Sequence, residues 1–112
     1  MCENCYVLKE LFEAAESNSH QNYIPTLACI NVLLNQGVIE LFAGDCPLEE
    51  VEKHLCDEIH YTVCHYFRCK NCSQYFFIGA CVRGTPIYKT LVNLKNENLE
   101  NMLWGCYGVL YE

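Results

Sequence analysis

Basic residues are scarce in this sequence. Seven Lys and Arg stand against fourteen Asp and Glu, for a formal net charge of −7. A chain with so few cations has little with which to neutralise a phosphate backbone, so nucleic-acid binding is not expected. Long hydrophobic runs are missing as well. No stretch approaches the roughly 18 consecutive apolar residues of a membrane-spanning helix. The opening Met1-Cys2-Glu3-Asn4-Cys5 has neither the basic nor the apolar region of a secretory signal. These absences lead us to expect a soluble, cytoplasmic protein that does not engage a membrane. Proline (three) and glycine (six) are sparse, and there is no repeat, low-complexity tract or linker. One domain spanning residues 1–112 is expected.

Catalytic signatures are also lacking. The sequence holds no H-E-x-x-H, no phosphate-cradling glycine loop, no serine elbow, and no H-x-E paired with Pro-Cys-x-x-Cys.

Cysteine, in contrast, is abundant: ten in 112 residues. That density, about 9 percent, marks a disulfide scaffold in a secreted chain. Without a secretory signal, the same density points to thiols and metal. Spacing separates the two readings. Disulfide scaffolds have no need of C-x-x-C units, and this chain has two, Cys2-Glu3-Asn4-Cys5 and Cys69-Lys70-Asn71-Cys72.

Periodicity predicts helices first and strands later. Leu8, Leu11, Phe12 and Ala15 recur at three- and four-residue steps, which predicts a helix from about Cys5 to Ser17. A second helix is expected from Pro25 to Gln36, with proline in its first turn and Gly37 as cap. Val38–Phe42 reads as a short strand. A third helix is expected to open at Pro47-Leu48-Glu49-Glu50 and end near Cys56. Between Ile59 and Val82, aromatic and β-branched residues alternate as in half-buried strands, with a polar break at 68–74. The second C-x-x-C therefore sits at a hairpin tip. Ile87–Val92 is expected to add a strand, Asn96–Trp104 a helix, and residues 107–111 a last strand. The fold class is α+β, with N-terminal helices packed on an antiparallel sheet that contains a zinc-knuckle hairpin.

Structural zinc takes four ligands in a tetrahedron, and each C-x-x-C can supply two thiolates because two intervening residues let the chain fold round the ion. Cys2, Cys5, Cys69 and Cys72 are the predicted Zn2+ ligands. The first pair is expected just ahead of the first helix. Such a centre would tie the start of the chain to the hairpin tip and close a long loop. Arg68 and Lys70 flank the second pair and are placed to offset the charge of a four-thiolate site. His65 is an alternative ligand, four residues before Cys69. Cys2 and Cys5 also permit a redox reading, although no strand precedes them.

The run Phe67-Arg68-Cys69-Lys70-Asn71-Cys72-Ser73-Gln74-Tyr75-Phe76 resembles the knuckle of zinc-ribbon proteins, which place glycine after the second cysteine. Here Ser73 takes that place, and a less tight turn is expected. The likeness covers about fifteen residues plus Cys2 and Cys5 as the other half-site. It implies a structural zinc and no activity.

Among the other cysteines, Cys29, Cys64 and Cys81 lie in apolar segments and are expected to pack as small hydrophobes. Cys46 and Cys56 flank the third helix and are expected nearer the surface. Charge is uneven: residues 1–58 hold eleven acids against two bases, and residues 59–112 three acids against five bases. The acidic half suits a basic protein partner. The leading functional reading is a non-enzymatic protein-binding module with a structural zinc. In size and charge it is similar to small acidic bacterial immunity proteins, which block a cognate toxin. A cysteine- or zinc-dependent enzyme and a nucleic-acid-binding zinc ribbon are the alternatives.

Overall fold

A computed structural model of the chain describes residues 2–58, 60–82, 84–91, 94 and 103–112. Helix α1 (Glu3–Ala15) buries Cys5, Leu8, Phe12 and Ala15 along one stripe. A 3-10 turn at Glu16–Asn18 leads into α2 (Ser19–Asn35). Strand β1 (Ile39–Gly44) follows, then a 3-10 turn (Leu48–Glu50) and α3 (Val51–Asp57). Strands β2 (Thr62–Cys69), β3 (Tyr75–Cys81) and β4 (Ile87–Leu91) come next. The four strands form one antiparallel sheet in the order β1-β2-β3-β4. The α+β class and the helices-then-sheet order are therefore as expected.

Helix α2 begins six residues before Pro25, so that proline lies inside the helix rather than in its first turn. Asn18 supplies the start, its side chain accepting from the Gln21 backbone N–H at 3.4 Å. Pro25 removes one donor from the helical ladder. Burial of Tyr23 and Thr26 holds the turn in place, and the Tyr88 hydroxyl donates to the Ser19 carbonyl at 2.8 Å.

The sheet is buried on both faces rather than one. On the helix side, Val63 and Phe67 of β2 and Phe76, Ile78 and Ala80 of β3 pack with Leu8, Phe12, Tyr23, Leu27 and Ile30. Phe12 meets Phe76 edge-on at 5.9 Å. On the other side, Phe42, Ala43, Cys64, Tyr66 and Phe77 form a second core, against which Leu94, Leu103 and Leu110 pack. A register shift between Leu41 and Ala43 in β1 admits Phe42 as an extra residue and turns its ring toward this second core.

Residues 107–111 were expected as a strand. Among the described residues they make a single bridge, Tyr107 to Gly44, followed by a 3-10 turn at Val109–Tyr111. Gly108 has φ 129, and a Cβ there would lie 2.6 Å from the Phe42 carbonyl oxygen, so glycine is required where this segment crosses β1. Most of the helix expected at Asn96–Trp104 lies outside the described residues. No helix among the described residues is long and apolar enough to cross a membrane.

Candidate metal centre

Helix α1 starts two residues earlier than its apolar stripe predicts, so the first C-x-x-C straddles the helix N-terminus instead of preceding it. Cys2 is the N-cap, with extended backbone at φ −91 and ψ 170, and Cys5 lies in the first turn. Positions three apart on a helix face the same side, which brings the two sulfurs together. Their Sγ atoms are 3.7 Å apart.

The second C-x-x-C forms the tip of the β2–β3 hairpin. Cys69 is the last residue of β2, paired with Ile39. Its N–H donates to the Gln74 carbonyl at 2.8 Å, and the Ser73 N–H donates back to the Cys69 carbonyl at 3.0 Å. Lys70 N–H reaches the Val38 carbonyl at 3.1 Å, fixing the tip against the lead-in to β1. The Asn71 N–H points at the Cys69 sulfur at 3.4 Å. Ser73 adopts φ 61, the left-handed conformation that glycine takes without penalty. The turn is thus closed by a strained serine, and the looser turn expected from its presence does not occur.

These two pieces meet. The Cys2 and Cys69 sulfurs are 3.6 Å apart, those of Cys5 and Cys72 are 3.5 Å apart, and all four lie within 4.8 Å of one another. A tetrahedral centre with metal–sulfur bonds of about 2.3 Å has sulfur–sulfur edges of about 3.8 Å. A disulfide would require about 2.05 Å, and all ten cysteines are free. The cluster has the donor type, number and spacing to hold a metal ion.

Its electrostatics are divided. Cys5 and Cys69 are buried, Cys2 is half-buried and Cys72 is exposed. The Asn71 side chain, by hydrogen bonding, draws the Cys2 thiol down to about 6. Burial pushes the Cys5 and Cys69 thiols up. Cys72 is lowered overall: burial raises it, and hydrogen bonds from the backbone around Cys2 and Gln74 outweigh that. Four sulfurs this close cannot all be anionic without a cation among them, because like charges in partial burial repel strongly.

Arg68 does not serve this site. Its guanidinium pairs with Glu40, through Nε at 2.6 Å and also through its terminal nitrogen, and lies over the Phe42 ring at 5.0 Å. Lys70 is exposed on the tip. His65 is not a ligand: its ring is fully buried and its Nε2–H donates to the Cys46 carbonyl at 2.8 Å. That leaves Nδ1 buried with no partner among the described residues, and burial pulls the imidazole down to about 4.

The remaining thiols divide differently from expectation. Cys64 is buried and Cys81 half-buried, but Cys29 is exposed on α2 beside its crevice with α1, and Cys46 is buried rather than near the surface. Burial pushes both Cys46 and Cys64 up to about 11, so at neutral pH they are protonated and poor nucleophiles. The rings of Tyr66, Phe67, Phe76 and Phe77 are buried, so they form core and not a platform for stacking bases.

Asp45, which reads in the sequence as a turn residue ahead of the third helix, has a larger role. Asp45 is buried, and its carboxylate accepts from the backbone N–H groups of Cys64 at 2.7 Å, Trp104 at 2.8 Å and Gly105 at 3.2 Å. It clamps the C-terminal segment to the sheet. A lone aspartate after glycine in a turn gave no hint of partners so distant in the chain.

What the fold and cluster define is an α+β protein in which four cysteines from two remote C-x-x-C units converge at one end of a sheet whose central strands are buried on both faces. The chain matches no protein-family model, no curated protein and no solved structure.

Proposed function

We propose that the four-cysteine cluster is a structural zinc centre and that the chain is a non-enzymatic protein-binding module, folded as one zinc-stapled unit, that engages a basic partner. The convergence of Cys2, Cys5, Cys69 and Cys72 within 4.8 Å carries the zinc part of this reading. Four thiolate donors suit zinc, since soft sulfur ligands in a closed tetrahedral set leave no open position for substrate. The centre joins residues 67 apart in sequence, so metal affinity becomes folding free energy. Ten free thiols fit a reducing compartment such as the cytoplasm.

The partner-binding part rests on charge: eleven acids against two bases in residues 1–58. An inhibitory role against a basic toxin, as immunity proteins perform, is one form this would take. Affinity capture with the zinc-loaded chain as bait tests the reading. Recovery of a basic protein, released by raised salt, is expected. A chain that captures no protein and instead purifies with a small molecule would overturn it.

A further inference from the structure

A groove runs along α2, between that helix and the acidic stretch that opens α3. Ile24, Leu27, Ala28 and Asn31, at three- and four-residue steps, form one wall of a recess of about 370 Å³, and Leu48, Glu49 and Glu52 form the other. Asn31, Leu48 and Glu49 also border a second recess of about 260 Å³, which extends past Leu34 to Tyr107 and ends at Glu112. Their shared residues place the two recesses side by side, and we treat them as one channel. From Ile24 to Leu34 the α2 wall spans ten residues of helix, about 15 Å.

The floor is apolar and the rim is charged with one sign. Leu27 is almost wholly buried, Leu34 and Leu48 are half-buried, and Ile24 is 43% exposed. Among the described residues, every charged residue along the channel (Glu49, Glu52 and Glu112) is an acid, and no Lys or Arg lines it. An apolar floor with acidic edges matches an amphipathic helix whose polar face carries Lys and Arg. A second copy of this chain fits poorly, since its fourteen acids against seven bases would set like charges together.

We propose that this groove docks a basic amphipathic helix of a protein partner, with leucine-sized side chains over Leu27, Ala28 and Leu48 and cations on Glu49 and Glu52. The proposal rests on the partner-binding reading above and adds to it the surface and the shape of the occupant. Helix-in-groove recognition of this kind uses apolar anchors at i, i+3, i+4 and i+7.

The test uses the zinc-loaded full chain and a synthetic leucine–lysine peptide of about 14 residues with leucines at those positions. A peptide of the same composition with the leucines scattered round the helix serves as control. Backbone amide shifts map the contact. Saturable binding of the patterned peptide is expected, with shifts concentrated at Ile24, Ala28, Asn31 and Leu48 and much weaker binding of the scattered peptide. Ala28→Arg, at an exposed helix position that accepts arginine readily, should abolish binding. The pair Glu49→Lys and Glu52→Lys should weaken it about tenfold or more. Equal binding of both peptides would mean that charge alone holds them, and would overturn the groove. Binding that survives Ala28→Arg would place the basic partner elsewhere on the surface, overturning the groove and leaving the partner-binding reading standing. Absence of any binding also overturns the groove, and the capture experiment then decides the partner-binding reading separately.

Discussion

The sulfurs of Cys5 and Cys72 lie 3.5 Å apart although 67 positions separate them in sequence. Cys5 is held by the first turn of α1 and Cys72 by the hairpin tip, so their approach fixes the first helix against the sheet. Structural zinc in small domains supplies roughly 10–16 kcal/mol of apparent binding free energy, against a net stability of about 5–15 kcal/mol for a typical domain. Cys5→Ser and Cys69→Ser, at buried positions, should therefore remove the metal and the cooperative unfolding transition together. Cys72→Ser, at the exposed corner, should retain a weakened metal, because water can complete the ligand set there. Metal content and thermal melts by circular dichroism, taken side by side, check the order.

Ser73 sits at φ 61 directly after the last cysteine of the tip. A non-glycine residue there is penalised by about 1–2 kcal/mol, part of which glycine forfeits through its greater freedom in the unfolded chain. Ser73→Gly should raise stability by roughly 0.5–1 kcal/mol, and Ser73→Val should lower it. Urea midpoints of the metal-loaded proteins measure both.

Asp45 binds three backbone N–H groups from two distant segments. Burial raises its carboxyl above the usual range, and those N–H donors only partly counter it. Asp45→Ala would leave the donors of Cys64, Trp104 and Gly105 without their acceptor. A cost of about 2–4 kcal/mol is expected, from an unsatisfied-donor cost of about 1–3 kcal/mol for each donor that stays buried. The same change should free the C-terminal segment. Trp104, the only tryptophan, is stacked on His60 at 3.8 Å with its indole N–H donating to the Thr62 carbonyl at 2.6 Å, so its emission should shift to the red.

His65 gives the fold a defined acid sensitivity. Burial depresses its folded-state value to about 4, so as pH falls the unfolded chain takes up the proton first. The contribution of His65 is intact above the ordinary imidazole range near 6.5 and is lost as pH falls toward about 4, a loss on the order of 3 kcal/mol. His65→Gln keeps a donor for the Cys46 carbonyl but cannot titrate. The difference in unfolding free energy between the two proteins, followed from pH 7 to 4, should shrink by that amount. A constant difference would show that the ring is not charged on unfolding. Thiolate protonation at the cysteine cluster acts equally on both proteins and cancels.

The features that were legible in the sequence are those carried by residue type at short range. Two C-x-x-C units announce themselves, and the Leu8, Phe12, Ala15 stripe announces α1. Helix α2 was harder. Its start depends on the Asn18 cap, while Pro25 reads as a first-turn residue until burial of Tyr23 and Thr26 outweighs its missing donor. The sequence round Cys29 is apolar enough that it looks like core, and only the packing of neighbouring elements shows which positions of α2 face water. The burial of both sheet faces was within reach, since Cys64, Tyr66 and Phe77 on the second face are as apolar as Val63 and Phe67 on the first. What covers them is a segment that pairs through one bridge and an aspartate clamp, and neither has a local pattern. The meeting of the two cysteine pairs is a long-range fact that spacing alone only permits.

The most direct measurement is metal stoichiometry joined to thiol protection on the same purified sample. One zinc per chain is expected, with four cysteines, Cys2, Cys5, Cys69 and Cys72, that resist alkylation until a chelator is added. Cobalt in place of zinc should give the strong visible absorption of a tetrahedral thiolate site. A folded, metal-free chain whose exposed Cys72 and half-buried Cys2 alkylate as fast as exposed Cys29 would contradict this expectation.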